Sequence, residues 1–252
     1  MRLHVENVSK TFGGVVALSA VSAQIQPGWI TSIIGPNGAG KTTLIDAITG
    51  FSPPTGGRVL LDGRPIHTLP PHRVAALGIS RTFQTALLFE EMTVLENVLV
   101  GQHRSIRSGF WPSAGGLPAV RARERRGRAE ALTCLQLVGL ERLAALRAGS
   151  LPYGKKRLLE LARAMASHPE LLLLDEPAAG LNTEETAVLA GMITRIKGMG
   201  ITVVLVEHDM SLVMSISDHI LVLNFGRRLA EGPPHEIRRD PRVIEAYLGE
   251  EN

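Results

Sequence analysis

Compact apolar runs punctuate this chain at wide intervals. Ile30-Thr31-Ser32-Ile33-Ile34, Leu171–Leu174, Ile201–Val206 and Ile220–Leu223 are each bounded by polar or turn-forming residues. Short unbroken runs of this kind suit strands covered on both faces. Leu3–Val8 and Val15–Leu18 read as shorter strands around Gly13-Gly14, and Arg58–Leu61 as a strand entering a tight turn at Asp62-Gly63. A further strand is expected to end near Phe83-Gln84, and Val222–Glu231 reads as a hairpin around Phe225-Gly226. Helical patterning predicts helices over Leu44–Ile48 (closed by Gly50), Val74–Leu77, Leu95–Val100, Ala129–Val138, Lys155–Met165 and Thr183–Lys197. The tail, Pro241–Asn252, carries Val243, Ile244, Tyr247 and Leu248 at the spacing of a short amphipathic helix. From Glu91 to about Ala166 the texture is almost wholly helical, broken by the Gly- and Pro-rich stretch Ser108–Pro118. The pattern predicts an α/β core over 1–85 and 167–231, an inserted α-helical subdomain over 86–166, and a tail over 232–252.

Composition narrows the class without changing this layout. A chain of 252 residues with 44% hydrophobic and 20% charged residues suits one globular α/β domain with a subdomain. No apolar run approaches the roughly 18 residues of a membrane span, and Met1-Arg2-Leu3-His4 does not open a signal peptide. The single cysteine, Cys134, has no internal disulfide partner, which fits a reducing compartment, and its apolar neighbours read it as a small core residue. The net charge is only +3, with basic residues concentrated in Arg121, Arg123, Arg125, Arg126 and Arg128. A nucleic-acid or membrane-surface patch is one reading of them; no aromatic residue interleaves to stack on bases, so a solvated helix face is the preferred expectation and no nucleic-acid partner is expected.

The candidate chemistry begins directly after the first buried strand. Gly35-Pro36-Asn37-Gly38-Ala39-Gly40-Lys41-Thr42-Thr43 fits G-x-x-x-x-G-K-[ST] at every defined position, between a predicted strand and a predicted helix. In that context successive backbone N–H groups and the helix N-terminus converge on phosphates. Lys41 is expected to reach the β- and γ-phosphates and the Thr42 hydroxyl to ligate Mg²⁺. The sequence therefore reads as a P-loop NTPase that binds a nucleoside triphosphate with Mg²⁺.

Two later strand ends supply what hydrolysis needs. Leu171–Leu174 runs into Asp175-Glu176, the Walker B arrangement, with Asp175 expected at the Mg²⁺ and Glu176 placed to polarise a water in line with the γ-phosphate. The next apolar run ends in Glu207-His208-Asp209, and His208 is expected beside the γ-phosphate. Gln84 also ends a predicted strand, where its amide can reach Mg²⁺ or the water.

P-loop, strand-terminal Gln84, helical insertion, Leu151-Pro152-Tyr153-Gly154-Lys155, Walker B with Glu176, and His208 occur in the order found in ATP-binding cassette (ABC) ATPases, which the whole chain resembles. The resemblance implies a RecA-like core with an antiparallel β subdomain and the inserted helical subdomain. It implies that Phe12 stacks on adenine, that Gln84 is the Q-loop glutamine, that Leu151–Lys155 is the signature, and that Ala179-Gly180-Leu181-Asn182 is the D-loop. A Leu-Ser-Gly-Gly-Gln signature and a D-loop aspartate are usual in the family, so Pro152, Tyr153, Lys155 and Asn182 are departures. Arg81-Thr82-Phe83-Gln84, Met92–Val98, Asp175–Asn182, Glu207–Met210 and Ala246–Glu250 look most like the LivG-type ATPases of branched-chain amino acid importers.

The resemblance further implies a peripheral subunit on the cytoplasmic face of the cell membrane. Its expected partners are a second ABC ATPase, a different chain in preference to an identical one, two membrane permease subunits, and an extracytoplasmic substrate-binding protein. ATP is expected between the two ATPases, head to tail. Alternatives are another transporter, since the terminal Tyr247-Leu248-Gly249 also resembles the lipopolysaccharide-export ATPase, or a non-transport ABC ATPase acting on nucleic acid or ribosomes. Other amino acids, amides and urea stand beside branched-chain amino acids as cargo.

Overall fold

The structure is a computed structural model that describes residues 1–82, 88–102 and 118–248. In chain order its elements are β1 (Leu3–Phe12), β2 (Val15–Ile25), β3 (Ile30–Ile34), α1 (Lys41–Thr49), β4 (Gly56–Leu61), β5 (Arg64–Pro65), α2 (Pro71–Ala76) and β6 (Ile79–Arg81). The helices α3 (Val94–Gly101), α4 (Pro118–Leu137) and α5 (Tyr153–Met165) follow. The chain then continues as β7 (Leu171–Asp175), α6 (Thr183–Gly198), β8 (Thr202–Val206), α7 (Met210–Ile216), β9 (His219–Asn224), β10 (Arg227–Gly232), α8 (Pro234–Ile237) and α9 (Pro241–Leu248). Residue contacts divide it into two units, one of 1–81, 170–179 and 186–252, the other of 82–169 and 180–185.

The first unit contains two sheets. One is antiparallel, in the order β2-β1-β4-β5; the other is six-stranded, in the order β10-β9-β3-β8-β7-β6, with only the β10–β9 pair antiparallel. Every residue of β3, β7 and β8 is buried, as their unbroken apolar runs require. On one face, Ile33, Leu171, Leu173, Val204 and Val206 share a core with Leu44, Ile45 and Ile48 of α1 and with Leu3, Val5, Leu18 and Val21 of the antiparallel sheet. On the other, Ile34, Ile220 and Val222 pack with Val213 of α7, Ile237 of α8 and Val243 of α9.

β1 and β2 run beyond the Leu3–Val8 and Val15–Leu18 that the sequence predicts, to Phe12 and Ile25. Their pairing shifts register between Val5 and Val8 and twice more before Thr11, and Asn7 and Ala20 have positive φ. Such bulges interrupt the period-two alternation by which a half-buried strand is recognised in sequence.

In the second unit, α3, α4 and α5 pack on one another. α3 opens with a capping box, in which the Thr93 hydroxyl accepts from Glu96 N–H and the Glu96 carboxylate accepts from Thr93 N–H. Buried Asn97 accepts from Phe89 N–H and donates to the carbonyls of Phe89 and Thr93, which fixes the segment before the helix. Phe89 and Met92 stand exposed on that segment.

α4 begins at Pro118, well before the Ala129 that the sequence suggests, and carries the five arginines exposed. Its hydrophobic stripe only emerges beyond them. Cys134 is half-buried on this helix, which corrects its reading as a core residue; burial pushes its thiol up to about 11, leaving it inert at neutral pH. Among the described residues no helix is long and apolar enough to cross a membrane.

Candidate active site

β3 delivers the glycine-rich loop and α1 receives it. Gly40 has φ +99°, and a Cβ there would lie 2.7 Å from the Ala17 carbonyl oxygen, so glycine alone fits. α1 then starts at Lys41 with no side-chain cap and no acidic residue in its first turn. Its first N–H groups and dipole are thereby left to an external anion. Lys41 is buried within the loop and donates to the carbonyls of Gly35 at 2.6 Å and Pro36 at 2.9 Å, while Asn37 and Gly38 form an exposed crown. An uncapped helix start with a lysine held under a glycine loop fits a triphosphate. The Thr42 hydroxyl and the Asp175 carboxylate are hard oxygen donors of the kind that Mg²⁺ takes.

The parallel sheet aligns the carboxyl ends of its strands along one edge. β8 lies between β3 and β7, so the loop after β3, Asp175-Glu176 after β7 and Glu207-His208 after β8 end neighbouring strands. Asp175 is buried and accepts from Arg81 Nη2 at 2.9 Å; Arg81 Nη1 reaches Asp46 of α1. Burial pushes the Asp175 carboxyl above the usual carboxylate range, and the Arg81 guanidinium pulls it back.

Glu176 has φ +47°, unusual for a residue with a Cβ, and its N–H donates to the Val206 carbonyl at 2.9 Å. His208 carries an exposed imidazole above a buried Glu207. Burial also pushes the Glu207 carboxyl upward, against the N–H groups of Ala178 and His208 that donate to it.

Phe12 ends β1, is 49% exposed, and has the Lys10 ammonium 4.9 Å from its ring centroid. Gln84 lies outside the described residues. Leu151–Lys155 and Gly180–Asn182 belong to the second unit. Pro152 is the N-cap of α5, and Tyr153, Gly154 and Lys155 form its first turn; the sequence reading starts this helix two residues late. The Tyr153 ring lies against Gly180, and Gly154 leaves room for Glu185, whose Oε1 would be 2.3 Å from a Cβ there. Asn182 accepts from Glu185 N–H at 2.9 Å while Glu185 accepts from Asn182 N–H at 3.1 Å, a reciprocal cap at the start of α6. Asparagine caps as well as aspartate does, so this departure keeps the helix start intact.

The local sequence assigns no separate role to Arg81, Asp46 or Glu207. A charged residue at the end of a strand is the signal for Arg81 and Glu207, and only the fold shows that each side chain is buried against a neighbouring strand end or helix.

A family model described as ABC transporter matches residues 18–179. The chain belongs to the ABC transporter family. A second model, branched-chain amino acid ATP-binding cassette transporter, matches residues 227–252 of this ABC ATPase. It is 48% identical over 249 residues, 98% of each chain, to the high-affinity branched-chain amino acid transport ATP-binding protein BraF of Pseudomonas aeruginosa. It is 46% identical over the same length and shares to LivG of Escherichia coli strain K12, described in the same words. Among solved structures it resembles a nucleotide-free ATP-binding cassette from an ABC transporter, with TM-score 0.85, 35% identity, and 98% and 99% of the two chains covered. A post-hydrolysis cassette dimer bound to ADP and phosphate matches with TM-score 0.78 at 28% identity, over 92% and 98% of the two chains.

Proposed function

We propose that this ABC ATPase energises the import of branched-chain amino acids. The observation that carries the hydrolytic part is the strand order, which brings Lys41, Asp175, Glu176 and His208 to adjacent strand ends of one unit. The cargo reading rests on full-length similarity to BraF and LivG together with the C-terminal match.

The residues divide the work as follows. Gly35–Gly40 and the start of α1 bind the phosphates, Lys41 supplies the charge at the β- and γ-positions, and Phe12 stacks on the adenine. Thr42, Asp175 and Gln84 would hold Mg²⁺, which when bound neutralises charge on the phosphate oxygens. Glu176 accepts a proton from the attacking water, and the His208 imidazole presents its ring nitrogens to orient that water and the γ-phosphate. The partner's ATP meets Leu151–Lys155, and Ala179–Asn182 lies along the same junction.

The partners are a second, different ABC ATPase, two permease subunits and an extracytoplasmic binding protein, with this subunit at the cytoplasmic face. The exposed Phe89 and Met92 offer apolar surface to a permease helix.

Nucleotide affinity and steady-state turnover measured separately test the chemistry. Glu176→Gln is nearly isosteric but cannot act as base, so it keeps ATP affinity and loses about 100-fold or more in turnover. Lys41→Ala weakens binding itself. Undiminished turnover by Glu176→Gln in the assembled transporter removes the role given to that residue. Uptake of labelled leucine by vesicles holding the assembled transporter tests the cargo: competition by valine and isoleucine, but not by amides or urea, is the expected result.

A further inference from the structure

Glu207 is the least exposed charged residue at the site, with 0% of its surface accessible, and both of its oxygens are engaged. Oε1 accepts from the Ala178 N–H at 2.8 Å, and Oε2 accepts from the His208 N–H at 3.1 Å. Ala178 is two residues beyond Glu176, and His208 is the next residue in the chain. One buried carboxylate therefore ties together the backbones behind both hydrolytic side chains.

The turn that presents Glu176 needs such a tie. Its φ of +47° is a conformation that a residue with a Cβ holds only when its surroundings enforce it. The turn closes on itself through Ala179 N–H to the Glu176 carbonyl at 3.2 Å. It meets the β8 end at two points, Glu176 N–H on the Val206 carbonyl at 2.9 Å and Ala178 N–H on Glu207. The first is backbone to backbone and independent of side-chain identity. The second depends wholly on the carboxylate.

We propose that Glu207 is a positioning residue: it holds the left-handed turn at Glu176 and the His208 backbone in one fixed relation, so that carboxylate and imidazole address the same water. This rests on the role given to Glu176 above. Glutamine at 207 retains one acceptor oxygen and turns an amide N–H₂ against the other backbone N–H. The pair of acceptors is lost, while volume and burial are nearly unchanged.

The test uses the full chain assembled with its membrane partners, and compares Glu207→Gln and Glu207→Asp in the wild-type and Glu176→Gln backgrounds. Aspartate keeps the charge but is too short to span both amides, and it serves if Glu207→Gln does not assemble. The expected result is a fall in kcat of roughly tenfold with KM and ATP affinity within about twofold, because only the hydrolytic geometry is disturbed. Amide hydrogen exchange in the full chain should quicken at Ala178 and His208. In the Glu176→Gln background the same change should lower residual turnover by less than about twofold, since two groups acting as one unit do not add. Wild-type kcat, or equal fractional losses in both backgrounds, overturns the proposal and leaves Glu207 as packing only. Undiminished turnover by Glu176→Gln alone overturns it through its premise, a distinct outcome from a dead Glu176→Gln beside an unaffected Glu207→Gln.

Discussion

At the scale of single residues the active site depends on buried charges that are held in groups. Arg81 is the clearest case, because its side chain is 8% exposed, Asp175 is 2% exposed, and the same guanidinium also reaches Asp46. Removing one member of a buried ion pair leaves the other charged and poorly solvated, at a cost of about 3–5 kcal/mol. Arg81→Ala should therefore destabilise the chain by that order, and Arg81→Lys by clearly less because the charge stays. Denaturant unfolding of the full chain measures both, and an Arg81→Ala protein as stable as the parent would show that Asp175 and Asp46 find other support. The arginine also ties the helix of the P-loop to the Walker B strand directly. Nothing in the local sequence around residues 46, 81 and 175 displays that link.

At the scale of elements, helix starts do much of the positioning. α1 begins without a side-chain cap, which leaves its N–H groups to phosphate, whereas α3, α6 and α7 begin with their N–H groups satisfied by the chain itself. Asp209 caps α7 directly after His208, accepting from the N–H groups of Ser211 and Leu212 and from the Ser211 hydroxyl. The Ser211 hydroxyl above all, and then these N–H groups, hold its carboxyl below the usual range. A depressed carboxylate contributes stability that is present above its unfolded value, near pH 3.9, and is lost as pH falls through the lower folded value. Asp209→Ala should accordingly cost about 0.5–2 kcal/mol at neutral pH. Thermal unfolding followed from pH 7 downward should show the difference from the parent closing below the ordinary carboxylate range. A difference independent of pH would mean that the cap works through shape and not through charge.

At the scale of the whole molecule, the proposed role of Leu151–Lys155 as signature sets an expectation for how two cassettes share their work. Pro152 has neither a hydroxyl nor an N–H to offer the partner's γ-phosphate, but it caps a helix whose first turn, Tyr153 to Lys155, has no side-chain cap and no acidic residue. That helix start retains its anion attraction, worth about 0.3–1 kcal/mol and up to ~2 when partly buried. One hydrogen bond to a charged group is worth about 1.5–3 kcal/mol. On that proposal the signature should be weakened and not abolished. With a different partner ATPase carrying a fuller signature, the site built on this chain's Lys41 and Glu176 should turn over faster than the site completed by Pro152 and Gly154. Disabling Glu176 here should then reduce hydrolysis more than disabling the partner's corresponding glutamate. Equal losses in the two single mutants of the assembled transporter would show Pro152 to be a neutral variant.

The sequence by itself determined the elements that local physics dictates. The buried strands β3, β7, β8 and β9 are legible because strands covered on both faces must be apolar throughout. The P-loop is legible because a tight phosphate-binding turn accepts glycine and lysine at fixed spacing, and Asp175-Glu176 and His208 are legible as polar ends of apolar runs. Tertiary structure alone decided which strand ends are neighbours, because β3, β7 and β8 are far apart in sequence and their order in the sheet is a long-range pairing. It also decided the bulged continuations of β1 and β2, where shifted register hides the alternation, and the first half of α4, whose exposed arginines carry no apolar stripe. The contacts of Arg81, Asp46 and Glu207 belong to the same class. A charged side chain is read as solvent-facing until the fold closes over it, and only then do its partners, and its purpose, become visible.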